Sequence, residues 1–142
     1  FRFINTHLES DSAAVQVAQG NELLTGPIAG TVLPIVLVGD LNSDADGSGS
    51  ATYGNLISGG IVDPWNTVNP GLLGNTFGTG IFDPTPSFTR RIDFVLTTND
   101  VTVIDAEVVG DELEDRTPSG IWPSDHAGVV TTISTIPEPS IS

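Results

Sequence analysis

Polar side chains that fall where an apolar run ends are placed to do chemistry, because ligands of open α/β sheets collect beyond the carboxyl ends of the strands. Four such places occur in this sequence. His7 ends the first β-rich stretch, Asp40 and Asn42 follow an apolar run, Asp93 stands inside Arg91-Ile92-Asp93-Phe94-Val95-Leu96, and Asp125-His126 precedes the last apolar segment. Both histidines of the chain belong to this set. Alternation puts Ile92, Phe94 and Leu96 on one strand face and Arg91, Asp93 and Val95 on the other. A buried carboxylate without a partner is expensive, so Asp93 needs one. One kind of partner is a cation, Arg91 or Arg116. The other is an imidazole: an aspartate that holds a histidine in one tautomer makes the ring a directed base. His126, in the turn-like Ser124-Asp125-His126 after Pro123, is the candidate.

Asp40 and Asn42 are two apart, so an extended backbone aims them the same way. An ionised carboxylate only accepts hydrogen bonds, whereas an amide both donates and accepts. The pair suits a site that orients a water and steadies a negatively charged oxygen. An ordinary Asx turn after a strand is the equal alternative. Asp40, Asn42, Asp44 and Asp46 with Gly47 also invite a calcium-loop reading. An EF-type loop wants Gly at its sixth position and a bidentate Glu at its twelfth. Started at Asp40 those positions are Ala45 and Ala51; started at Asn42, Gly47 fits but the twelfth is Tyr53. A solvated acidic turn is the better reading. Arg90 and Arg91 read as partners of local acids, and Trp65, Phe77, Phe82 and Trp122 as core aromatics.

The elements that must position these groups fit one domain, as 142 residues allow. Residues 1–8 read as a strand. Ser10 or Asp11 caps a helix that runs towards Gly26-Pro27, with Gly20 weakening its middle. Residues 34–38 are an uninterrupted apolar run, a strand buried on both faces. A short helix over 52–58, a loop-dominated stretch over 59–85, strands at 91–96 and 101–109, an acidic loop over 111–120 and a last strand at 127–133 complete the chain. Charge narrows the chemistry: 18 acidic residues against four Arg and no Lys give −14. A basic patch that grips nucleic acid or anionic lipid by charge alone is excluded, and a phosphate-handling site here needs a borrowed cation. Absence of Cys excludes disulfides, thiolate metal sites and a cysteine nucleophile. No apolar run reaches membrane-spanning length.

Asn5-Thr6-His7-Leu8-Glu9, Gly39-Asp40-Leu41-Asn42, Arg91-Ile92-Asp93-Phe94-Val95-Leu96 and Ser124-Asp125-His126, in that order, resemble the endonuclease/exonuclease/phosphatase superfamily. These metal-dependent phosphoesterases include DNase-like nucleases, abasic-site endonucleases, sphingomyelinases and inositol polyphosphate phosphatases. The resemblance spans residues 1–133 and is closest in character to exported bacterial members. It implies an α/β (α+β) fold: residues 1–134 as the C-terminal half of a four-layer αββα sandwich with mixed, mainly antiparallel sheets. It implies that His126 takes a proton from the attacking water, Asp93 orients His126, Asp40 orients or activates the nucleophile, and Asn42 holds a phosphoryl oxygen. His7 contacts phosphate or protonates the leaving group, and Asp125 ligates Mg²⁺, with Mn²⁺ or Ca²⁺ as substitutes.

The family takes a further Asn and Glu for its metal from an N-terminal half, which is then the partner this chain requires. The expectation is weak metal binding and little activity from this chain alone, with an apolar sheet face or edge left exposed. The substrate is a phosphate ester: nucleic acid, phospholipid or small phosphoester. Residues 135–142, with Ile136-Pro137-Glu138-Pro139-Ser140, resemble the start of a Pro-Glu-Pro sorting tail and so imply export. A secreted calcium-binding or adhesion module without hydrolytic activity is the competing reading.

Overall fold

The computed structural model describes residues 1–135, so the Pro-Glu-Pro segment lies outside the described residues. In chain order the elements are β1 (Arg2–His7), α1 (Ala13–Thr25), β2 (Ile35–Asp40), α2 (Thr52–Ser58), α3 (Trp65–Val68), β3 (Asp93–Thr97), β4 (Val101–Val109), a 3₁₀ turn at Leu113–Asp115, and β5 (Gly128–Thr135). One sheet has the order β1-β2-β3, with β1 parallel to β2 and β2 antiparallel to β3; β4 and β5 form an antiparallel pair. β5 packs against β3, bringing the two small sheets together. The mixed α/β class expected from the sequence holds. The last strand runs to Thr135, one residue past the expected domain end.

β2 is the centre of the first sheet. Its apolar Ile35, Val36 and Leu37 are buried, and Ile35 and Leu37 meet Leu8, Leu41, Leu56, Ile61, Phe94 and Leu96 in the core. α1 covers this core, starting one or two residues later than expected. Ser12 is the cap, its hydroxyl accepting from the Val15 N–H, because Glu9 and Asp11 occupy the preceding turn with hydrogen bonds of their own. Gly20 has a reason inside that helix: a Cβ there would stand 2.6 Å from Thr52 Cγ2, so the glycine lets α1 and α2 approach. Phe82 departs from the core reading and is 75% exposed, whereas Trp65 and Trp122 are buried. β1 is an edge strand; Phe3 on it and Phe1 just before it are 60% and 62% exposed. Among the described residues no helix is long and apolar enough to cross a membrane.

Strand register decides which polar groups meet. His7 pairs with Asp40, and Asp40 pairs with Asp93, so three chemically active side chains occupy one row across three strands. Gly39 makes this row possible. Its φ of 135° is a backbone conformation that residues with a Cβ avoid, and a Cβ there would sit 1.8 Å from the Thr6 carbonyl oxygen. Replacing Gly39 with Val must therefore prise β1 from β2. The expected loss of stability is about 2–4 kcal/mol, read as a lower urea midpoint; an unchanged midpoint would contradict this register.

Candidate active site

The row ends in an imidazole. His126 Nδ1 lies 2.9 Å from Asp93 Oδ2. An ionised carboxylate has no proton to give, so Nδ1 donates and Nε2 is left as the basic nitrogen. The cationic partners do not reach Asp93. Arg91 is buried against Asp63 at 2.7 Å, and Arg116 donates to the carbonyls of Pro84 and Gly120. Tyr53 donates to the same Asp63 at 2.8 Å; burial and that carboxylate push its phenol up to about 12, so it remains a donor.

Two residues hold the Asp–His pair from both sides. Thr76 is fully buried; its hydroxyl donates to Asp93 Oδ2 at 2.6 Å and accepts from the N–H groups of Asp93 at 3.2 Å and Ile92 at 3.3 Å. The Thr76 carbonyl accepts from the Ala127 N–H at 2.7 Å, fixing the chain immediately after His126. Phe77 lays its ring 4.7 Å from that of His126, and Ser124 Oγ accepts from the His126 N–H at 3.0 Å. Sequence reading placed Thr76 in a loop and Phe77 in the core. The available signal was the bracketing of this pair by Gly74 and Gly78, both at positive φ, which marks a segment bent to fit.

Asp40 stands between the two imidazoles. Its Oδ2 is 3.5 Å from Nε2 of His7, whose side chain is 73% exposed. Asp40, Asp93 and His126 each offer one ligand atom, all within 4.8 Å of one another. Burial, and after it the Asp93 charge, raises the Asp40 carboxyl above its ordinary pKa, against the Asn42 N–H and the two histidines. For His126 burial works the other way, favouring the neutral ring. The Asp93 hydrogen bond and the charges of Asp93, Asp40 and Asp125 outweigh it, and the pKa ends above the ordinary value.

Asn42 corrects the expectation of an extended backbone. Its φ is 51°, and its N–H donates to Asp40 Oδ1 at 2.7 Å, forming the Asx turn. Its side-chain amide donates to the Leu8 carbonyl at 3.0 Å, tying the end of β1 to the end of β2. Asp125 is exposed beside His126 and is not one of the three clustered groups. The acidic turn does not converge on an ion. Asp44 is buried against Arg90 at 3.4 Å, and Asp46 accepts from the Ser48 N–H at 2.7 Å. Arg2 donates to the Pro27 carbonyl. Among the described residues, then, no arginine forms an ion pair with Asp40, Asp93 or Asp125. Two carboxylates and an imidazole nitrogen grouped without an arginine are a donor set that a divalent ion can use.

A raised folded pKa means that protonated His126 stabilises the fold. That contribution is complete below the unfolded value of about 6.5 and is lost as pH rises through the folded value. NMR titration of the His126 ring should give a midpoint above that of an unfolded histidine. Asp93→Asn should bring it down, and Thr76→Val should perturb it while Thr76→Ser leaves it in place. A midpoint indifferent to Asp93→Asn would break the proposed coupling.

The sequence model of the Endonuclease/Exonuclease/phosphatase family matches residues 3–126. No curated protein matches the chain. Solved structures similar to it include a functionally unknown conserved protein from Enterococcus faecalis, 23% identical, with 94% of this chain and 50% of that one covered at a TM-score of 0.70. A mannosyl-6-phosphatase from Bacteroides thetaiotaomicron is 24% identical, covering 93% and 50% at a TM-score of 0.68. TDP2 of D. rerio, complexed with a single-strand DNA product, is 22% identical, covering 94% and 56% at a TM-score of 0.71. The chain thus spans about half the length of these proteins, and at such identities the likeness is one of fold. With the family match extending from β1 to the histidine of the Asp–His pair, the chain belongs to the endonuclease/exonuclease/phosphatase family.

Proposed function

We propose that the chain carries much of the active site of a divalent-metal-dependent phosphoesterase, hydrolysing a phosphodiester or phosphomonoester with an activated water. The observation that carries this reading is the 2.9 Å contact of His126 Nδ1 with Asp93, which leaves Nε2 as the base. Nε2 takes a proton from water, the water oxygen bonds to phosphorus, and the bond from phosphorus to the leaving oxygen breaks. Asp93 holds the ring and steadies its charge once protonated. Asp40 orients the nucleophile, Asn42 holds a phosphoryl oxygen as charge grows, and His7 contacts the phosphate or protonates the leaving oxygen.

In this reading Asp125 would hold Mg²⁺, Mn²⁺ or Ca²⁺, as the family resemblance implies, and Asp40 of the Asp40–Asp93–His126 cluster offers a further ligand atom. The ion supplies positive charge for the phosphoryl oxygens, which a net charge of −14 otherwise repels. Further ligands come, in this reading, from an N-terminal half that completes the four-layer sandwich. One similar protein is named for a sugar monophosphate and another was solved with single-strand DNA, so mono- and diesters both belong in the assay. We assign the protein to the exported fraction of a bacterium, on the Pro-Glu-Pro tail in the sequence. Asp44, buried against Arg90, and Asp46, turned back on the Ser48 N–H, disfavour the calcium-module alternative.

The test is hydrolysis of plasmid DNA, RNA, sphingomyelin, a bis-aryl phosphodiester and a sugar phosphate by the full-length protein. Chelation should abolish turnover and Mg²⁺ restore it. His126→Ala should lower kcat by about 10²–10⁴ in protein that still unfolds cooperatively. A full-length protein inert with Mg²⁺, Mn²⁺ and Ca²⁺ alike would refute the assignment.

A further inference from the structure

A cavity of about 530 Å³ lies apart from the catalytic row, and none of Asp40, Asp93 and His126 lines it. Its volume falls in the range of small-molecule sites, roughly 300–1,000 Å³. The lining includes Trp65, Leu72, Leu73, Phe88, Glu107 and Asp111. Leu72 and Leu73 are 63% and 75% exposed, so the cavity carries an apolar patch in contact with water. Side chains fix the walls before anything binds. Trp65 is buried, and its Nε1 donates to the Leu72 carbonyl at 2.9 Å. Gly74 has a φ of 65° and lies against the same indole, where a Cβ would stand 2.4 Å from the ring. Asn69, just after α3, donates to the Ala106 carbonyl of β4 at 2.7 Å, and Asn75 to the Phe88 carbonyl at 3.1 Å. A ligand that enters here has little loop ordering to impose.

Charge selects among apolar ligands. Both charged residues of the lining are acidic, Glu107 and Asp111. Neither forms an ion pair among the described residues, and the four arginines are engaged elsewhere. A hydrophobic anion is repelled by these carboxylates and by the net charge of −14. A hard metal ion would have to trade its hydration shell for tryptophan, phenylalanine and leucine. An apolar body that ends in an ammonium group satisfies both kinds of lining at once.

We propose that this cavity binds a small organic cation, with its apolar body against Trp65, Leu72, Leu73 and Phe88 and its ammonium group held by Glu107 and Asp111. The site stands independently of the phosphoesterase reading. It shares one segment of chain with the candidate active site, since Asn75 lines the cavity and Thr76, the next residue, donates to Asp93.

The experiment adds three probes of one shape to the full-length protein and follows backbone amide signals by NMR. The probes are phenylbutylamine, phenylbutanol and phenylbutyrate, which differ in charge at one end only. The amine should shift the amides of Leu72, Leu73 and Gly74. It should bind at least about threefold more tightly than the alcohol, with the carboxylate weakest. That preference should shrink as salt rises and in Glu107→Gln, a change at an exposed position. Leu73→Ser, also at an exposed position, should weaken the amine and the alcohol alike. Equal affinity for all three probes, no shift at Leu72 to Gly74, or binding indifferent to both variants would overturn the proposal. Shifts of the same amides on raising protein concentration without any probe would also overturn it, because a second copy of the chain would then be the occupant.

Discussion

One hydrogen bond organises the candidate site: the one that His126 Nδ1 gives to Asp93. It converts two mobile titratable groups into a unit with a defined basic nitrogen, and other features serve to keep it straight. Thr76 donates to the same Asp93 oxygen while its carbonyl anchors the strand start after His126. Phe77 closes one side of the imidazole. The antiparallel pairing of β2 with β3 brings Asp40 level with Asp93. The result is a base whose protonated form is favoured by three carboxylates and disfavoured only by burial.

Electrostatics and fold are coupled through the arginines. With four cations against eighteen acids, each arginine has a large choice of partners, and the fold spends them away from the catalytic row. Arg91 goes underneath, to Asp63, and covers the face of Phe94 at 5.1 Å. Arg90 goes to buried Asp44 at 3.4 Å. The row is left rich in carboxylate and short of cation, a condition that is costly unless a cation arrives from outside. In the proposed reaction that arrival is what admits an anionic substrate.

Much of this was legible in the sequence, for identifiable reasons. His7 and Asp40 end a run of β-formers, Asp93 interrupts one and His126 precedes one, and a polar residue in such a place announces itself against its neighbours. Strand positions followed from the same runs, and the buried character of β2 from its unbroken apolar stretch. What sequence did not reveal is tertiary in origin. Thr76 is one hydroxyl in a Gly- and Pro-rich stretch without periodicity, and only the return of the chain past Arg90 and His126 gives it a role. Asn42 was expected to extend and instead turns left-handed, because the carboxylate two residues earlier captures its N–H. Phe82 was counted in the core by residue type alone, yet its ring faces water while the carbonyls of Ile81 and Asp83 on either side accept from buried Trp122.

The bare rim of β1 has a practical meaning. Strand edges are commonly guarded by charged side chains that discourage a neighbour from docking. Here the one permanently charged side chain of β1, Arg2, is turned to the Pro27 carbonyl, and two phenyl rings face water instead. Two rings standing in water side by side make an apolar surface on which another polypeptide can settle.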